Sequence, residues 1–252
     1  MKKVLLSAAA FLIVAMAFAQ QDSLTTVKTI EVKTEKKKKK EFDLSGRSDD
    51  HFMLQLGYAG WNNTPDTINT GGLPRSANIY FMIDFPFKSN PRISAAIGAG
   101  IGTDHIFFKK TYVGIKDITD EIQFKNLSDT NHFKKYKLAT TWLEAPIELR
   151  YTSRLDKPGK SFKAAIGVKV GTLLKAGTKG KIWQNKSGNT LISYTEKVSS
   201  KRFFNTLRVV PTVRVGYGHV SLYAAYQVGT LFKEGLGPDV RPYSIGLTIS
   251  GL

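Results

Sequence analysis

Between Leu138 and Lys175 the sequence alternates with a period of two on either side of a turn, and few folds accept that pattern. Residues 140–151 read TTWLEAPIELRY. Leu143, Ala145, Ile147, Leu149 and Tyr151 fall on one side of an extended strand, and Trp142, Glu144, Pro146, Glu148 and Arg150 on the other. Further along, Phe162, Ala164, Ile166, Val168, Val170 and Leu174 alternate with Lys163, Ala165, Gly167, Lys169, Gly171 and Lys175. The turn between them, Arg154 to Gly159, offers Pro158 to preset φ and Gly159 to take φ > 0. The pattern predicts a β-hairpin with one wholly apolar face and one face of charges and small residues.

The same period recurs from His51 onward. Phe52, Leu54, Leu56 and Tyr58 share a face, as do Ile79, Phe81, Ile83, Phe85 and Phe87, opposite Asn78, Tyr80, Met82 and Asp84. Ile93 to Ile101 alternates with Ser94, Ala96, Gly98, Gly100 and Gly102. Later, Leu207, Val209, Pro211, Val213, Val215 and Tyr217 oppose Arg208, Val210, Thr212, Arg214, Gly216 and Gly218. Val220 to Val228 and Tyr243 to Ile249 complete eight strands, none with a charge on its apolar face. Pro146 and Pro211 each remove a ladder donor, so each requires a bulge or a rim position. Short connections, such as Lys88–Pro91 and Gly216–His219, alternate with long ones near 61–77, 103–137, 176–203 and 231–240.

The first residues say where such a chain goes. Lys2 and Lys3 precede an apolar run from Val4 to Phe18, and Ala17-Phe-Ala19 is a small-x-small cleavage pattern. Residues 1–19 are expected to be a secretory signal peptide. An exported chain meets no cytoplasmic nucleic acid, so its net charge of +17 calls for another partner. There is no cysteine, which excludes disulfides, thiol chemistry and a lipidated cysteine. Residues 20–50 read as a flexible basic periplasmic arm. In it Lys36, Lys37, Lys38, Lys39 and Lys40 form a like-charge block suited to partner contact, and Val27 to Val32 could dock on a sheet edge.

Residues 51–252 therefore predict an all-β fold: a transmembrane antiparallel up-and-down β-barrel of eight strands, with short periplasmic turns and long extracellular loops. A soluble barrel would show the same alternation turned inside out. The glycines of the non-apolar face, Gly57, Gly98, Gly100, Gly167, Gly171, Gly216 and Gly246, argue against that. Exposed to water they weaken strands, whereas in a narrow lumen they make room for long neighbours. Those neighbours are Asp84, Glu144, Glu148, Arg150, Lys163, Lys169, Arg208 and Arg214, expected to form an interior ion-pair lattice centred on the two glutamates. Aromatic residues near the strand ends, among them Phe52, Tyr58, Phe87, Tyr151, Phe162, Tyr217 and Tyr243, suit the headgroup level.

At TTWLEAPIELRY, AAIGVKVGTLLKAG (164–177) and the closing YQVGTLFKEG with PYSIGLTI (226–249), the chain resembles the PorT-like outer-membrane β-barrel family of Gram-negative bacteria. The resemblance runs from about His51 to Leu252. It implies an outer-membrane barrel with a periplasmic N-terminus, in a family whose namesake is implicated in protein secretion across that membrane. No catalytic residues belong to the family pattern, so none are carried over.

The function expected is that of a monomeric structural anchor or accessory subunit, of a secretion or surface-assembly system. Its partners would be outer-membrane lipid and a protein bound through the arm or the loops, with no cofactor and no metal. A narrow anion-leaning pore is the alternative, and a rim hydrolase the third reading. That third reading would draw on Asp104, His105, Asp129 and His132 in one loop, with Ser128 as nucleophile. The apolar residues of the long loops, such as Tyr112, Ile115, Ile122 and Phe124, then Trp183 and Tyr194, are expected to extend the strands as hairpins or to contact a partner.

Overall fold

The computed structural model describes residues 51–251, so the signal peptide and the basic arm lie outside the described residues. Within that range the chain is all-β. Eleven strands are formed: β1 (Phe52–Asn62), β2 (Arg75–Pro86), β3 (Ile93–Phe108), β4 (Thr111–Gly114), β5 (Gln123–Asn126), β6 (His132–Thr152), β7 (Phe162–Gln184), β8 (Thr190–Ser199), β9 (Leu207–Tyr217), β10 (Val220–Tyr226) and β11 (Arg241–Ser250).

Eight of them close into a ring. Each pairs antiparallel with the next in the order β1, β2, β3, β6, β7, β9, β10, β11, and β11 returns to β1 from Met53↔Ser250 to Asn62↔Arg241. Closure leaves the ring no free edge. The alternation read from the sequence selects the faces: Leu143, Ile147 and Leu149 are exposed on the outer wall, while Trp142, Glu144, Glu148 and Arg150 are buried inside. The outer wall is apolar all the way round. Phe81, Ile97, Ile147, Ile166, Val213, Leu222 and Ile245 represent seven strands of it, and Ile166 and Leu222 are each 64% exposed.

The other three strands occupy what the sequence presented as loops. β4 and β5 form a hairpin between β3 and β6, and β8 pairs with the far half of β7 from Gly177↔Ser199 to Gln184↔Thr190. β7 thus changes partner along its length, meeting β9 as far as Thr172↔Leu207 and β8 above that. The strand extension expected of the long loops is present, and the loop residues Ile115 and Ile122 are buried.

Three local expectations are corrected. Gly159 is not in the left-handed region, because the turn closes as a 3-10 turn over Pro158–Lys160, with the Lys160 amide donating to the Lys157 carbonyl at 2.9 Å. The left-handed glycine lies in the neighbouring turn: Gly218 has φ 61°, and a Cβ there would come within 2.6 Å of the Gly159 carbonyl oxygen. Lys175 is not on the charged face. The register shifts between Thr141↔Lys175 and Trp142↔Leu173, so Leu174 is an extra residue and Lys175 is carried to the outer wall.

Pro146, finally, sits in mid-strand without a bulge. It pairs with Lys169 on the β7 side, while the ladder to β3 passes from Ile97↔Ile147 to Gly100↔Glu144 with no pairing between. The missing donor is absorbed as a gap in one ladder. Pro211 is also in mid-strand and not at a rim: it pairs with Val168 on the β7 side, and its missing donor falls just beyond Ala225↔Thr212, where the β9–β10 ladder ends.

Candidate functional site: a charged interior beneath an apolar cap

Every charged residue proposed from the sequence for the interior faces inward, and two clusters form around the glutamates. Glu144 accepts from Arg208 Nη2 at 2.8 Å and Nε at 3.0 Å through Oε1. Its Oε2 accepts from the Tyr80 hydroxyl at 2.5 Å and lies 3.9 Å from Lys169 Nζ. Lys169 in turn donates to the Tyr80 oxygen at 3.2 Å, and Arg208 Nη1 donates to Asp104 Oδ2 at 2.9 Å. Nearer the short turns, Glu148 Oε2 accepts from Arg150 Nε and Arg214 Nη2, both at 2.9 Å. Arg150 Nη1 stands 3.9 Å from Asp84 Oδ1. Lys163 is buried on the same face and lines, with Arg150 and Arg214, a void of about 10 Å³.

The strands supply this arrangement by register alone. Glu144 and Glu148 are four apart on β6, hence on one face. Their arginines stand on β9, separated from β6 by β7. The β7 residues opposite the glutamates are Gly171 and Gly167, and there is no side chain to block the reach. At Gly171 a Cβ would lie 3.0 Å from Glu144 Cγ and 3.4 Å from Arg208 Cγ. A buried charge with no partner costs several kcal/mol. Paired acids and bases on successive strands keep this interior from paying that penalty in full.

Two members were missed from the sequence. Tyr80 lay on the right face but carries no charge. Asp104 was assigned to a loop because the alternation of β3 appeared to end at Gly102. β3 in fact continues to Phe108, which directs Asp104 to Arg208 and His105 to the opposite face, where its ring stands 3.4 Å from Lys137 Nζ. Asp104 and His105 therefore do not form a dyad. Ser128 Oγ donates to Asn126 Oδ1 at 2.7 Å, and His132 Nδ1 lies 3.0 Å from the Thr130 carbonyl. Asp104, His105, Ser128 and His132, proposed for a rim hydrolase, are thus directed to separate partners. Among the described residues no group of three or more His, Cys, Asp or Glu is placed to hold a metal.

Above the charged layer the interior becomes apolar. Trp142, Leu138 and Leu173 from the ring pack with Ile115 and Ile122 of the β4–β5 segment and with Phe203, Phe204, Leu231 and Phe232 of the other long connections. Phe232 is the hub, with its ring 5.2 Å from Phe204, 6.0 Å from Phe124 and 6.1 Å from Trp61. This cap closes the long-loop end. Between cap and charges is a cavity of about 30 Å³ lined by Asp104, Leu138, Thr140, Lys169 and Arg208 among others, room for about one water.

At the cap's edge the Tyr112 hydroxyl donates to Asp117 Oδ1 at 2.9 Å. Burial, reinforced by that carboxylate, pushes the Tyr112 phenol up to about 12. No family model matches the chain, and no curated protein matches it.

Proposed function

We propose that this chain is an outer-membrane β-barrel that serves as an anchor or accessory subunit, in a secretion or surface-assembly system such as the PorT-like resemblance implies. One observation carries the reading: the ring is apolar outside and ionic inside. A protein folded for water hides its large aliphatic and aromatic side chains. Here Phe85, Ile79, Leu56, Val209, Leu247 and their neighbours stand exposed around the whole circumference, while Glu144 is 1% exposed. Lipid is the solvent that this surface fits. The outward apolar run from Ile79 in β2 to Phe87 just past its end has the length of about 9 residues that a tilted strand needs to cross a bilayer.

The orientation follows from the short turns. The described chain begins and ends at that rim, since Met53 pairs with Ser250. A processed exported chain begins in the periplasm, so the capped rim faces outward. The lumen is the ground for preferring an anchor to a pore. An ion path would have to pass the Glu144 and Glu148 clusters and then the aromatic cap, and the void between them measures about 30 Å³. Eight-stranded barrels are in general filled by their side chains.

The test is insertion followed by conductance. The refolded chain should float with phosphatidylcholine vesicles, resist alkaline extraction, and produce no steady current steps in planar bilayers. A monomer that stays folded in detergent-free buffer would overturn the membrane reading, and steady anion-selective steps would replace the anchor with the pore. The modular role has its own check. Reversing the charge of Glu144 should destabilise the barrel and leave partner binding by residues 20–50 intact, and deleting Lys36 to Lys40 should do the opposite.

A further inference from the structure

Above the apolar wall, on the outward face of the extended strands, stands a band of basic side chains. Lys137 on β6 pairs directly with Lys179 on β7, and Lys179 with Lys197 on β8. Two residues further from the wall, Lys135 pairs with Lys181. Two residues nearer to it, Arg75 on β2 pairs with His105 on β3. Paired residues of an antiparallel ladder share a face, and the opposite face here carries buried Tyr136, Leu138 and Thr178. Like charges directly across a ladder destabilise it. Among the described residues none of Arg75, Lys135, Lys137, Lys179, Lys181 and Lys197 makes an ion pair with an Asp or Glu.

We propose that this band binds the phosphate groups of the lipid that surrounds the barrel, with the acyl chains lying against the apolar wall beneath it. The proposal rests on the outer-membrane reading. Three features favour a lipid over a free anion. The band spans five neighbouring strands, about 19 Å at the usual strand spacing, so it addresses several phosphates at once. It sits at the upper border of the wall, where Ile101 and Leu143 give way to Thr103 and Thr141, and Lys175 stands at that border too. It is also open: Lys135, Lys181 and Lys197 are exposed.

Arg75 and Lys137 both lie over the Phe107 ring, at 5.9 and 5.7 Å, which holds the two cations near one another and at the lipid border.

The test uses the full chain inserted in phosphatidylcholine vesicles that contain a few per cent of diphosphoryl lipid A, of its dephosphorylated form, or of neither. Lipid retained on the extracted protein is measured by native mass spectrometry. The phosphorylated form should be retained preferentially, and added salt should weaken it. Lys137→Gln/Lys179→Gln/Lys181→Gln should reduce that retention about a hundredfold, roughly fivefold per lysine. The triple arginine variant should keep it, and Lys186→Gln/Lys201→Gln, elsewhere in the loops, should leave it unchanged. Equal retention of both lipid forms by a properly inserted protein overturns this inference and leaves the membrane reading standing. Displacement by millimolar inorganic phosphate overturns it in favour of a free anion. A chain that does not insert at all fails the membrane reading itself.

Discussion

The guanidinium carbon of Arg208 lies 4.4 Å over the centre of the Trp142 ring, with Glu144 on its other nitrogens at 2.8 and 3.0 Å. The contact joins the two halves of the interior. Trp142 is 0% exposed and belongs to the apolar cap, whereas Arg208 belongs to the ionic layer. Arginine suits this seam because its planar cation stacks on an aromatic face and still donates in its own plane.

The central carboxylate should be the most sensitive position of the lattice. Glu144→Gln preserves shape but leaves Arg208 and Lys169 facing a neutral group, and breaking a buried pair in this way costs about 3–5 kcal/mol. Urea unfolding of the vesicle-inserted protein reads it. Adding Lys169→Met removes the surplus cation 3.9 Å away, so the double variant should regain part of the loss. Strict additivity would show that the two charges do not interact.

Small residues in the lumen are a packing requirement, and that can be tested at two glycines. A Cβ at Gly102 would come within 2.5 Å of Glu144 Oε2 and 2.8 Å of Asn78 Oδ1, so Gly102→Ala must displace the carboxylate oxygen that accepts from Tyr80. A loss of about 1–3 kcal/mol is expected, as for other overpacked sites. Gly229 has nothing within 4 Å of its would-be Cβ, and Gly229→Ala should be neutral in the same unfolding measurement.

The ring and its faces were legible because alternation is a local signal: Glu144 and Ile147 differ by an odd step and must point apart. What escaped was whatever interrupts the period or depends on distant chain. The extra residue at Leu174 looks like any other apolar position, so Lys175 was assigned to the wrong face. Asp104 was hidden because Thr103 and His105 gave no apolar stripe above Ile101, although the strand goes on. The apolar Ile115, Ile122 and Phe124 stood out in their loop, but the cap they join could not be read. Phe203, Phe204 and Phe232 sit in connections without periodicity, and only the closure of the ring brings them over one opening. The charged lattice lies between these cases, since facing fixed its members and only strand order fixed its partners.

The cap should yield before the ring does. Phe232→Ala removes a fully buried ring, a change that costs about 3–5 kcal/mol. Its neighbours Phe124 and Trp61 come from the β4–β5 hairpin and the end of β1, so the loss should loosen that hairpin from the ring. Limited trypsin treatment should cut faster at Lys109, Lys110, Lys116 and Lys125 while the ring strands stay protected. Unfolding of ring and cap at one urea concentration would instead make them a single cooperative unit.

Alkaline titration gives the last test, at the edge of the cap. Tyr112 ionises at about 12 in the folded chain, against an ordinary value near 10, because burial and the Asp117 carboxylate disfavour the phenolate. The folded state therefore holds this proton more tightly than the unfolded one. Its contribution to stability is fully present below pH 10 and is lost as the pH rises from 10 through 12. Tyr112→Phe keeps the ring stacked on Tyr136, whose centroid is 6.3 Å away, but removes both the proton and the hydrogen bond. The difference in ultraviolet absorbance between parent and variant should thus show one phenol titrating near pH 12. The extra alkaline sensitivity of the β4–β5 hairpin, read by proteolysis, should vanish in the variant. A difference titration centred at pH 10 would mean that Tyr112 is free in water and that its bond to Asp117 does not hold the hairpin.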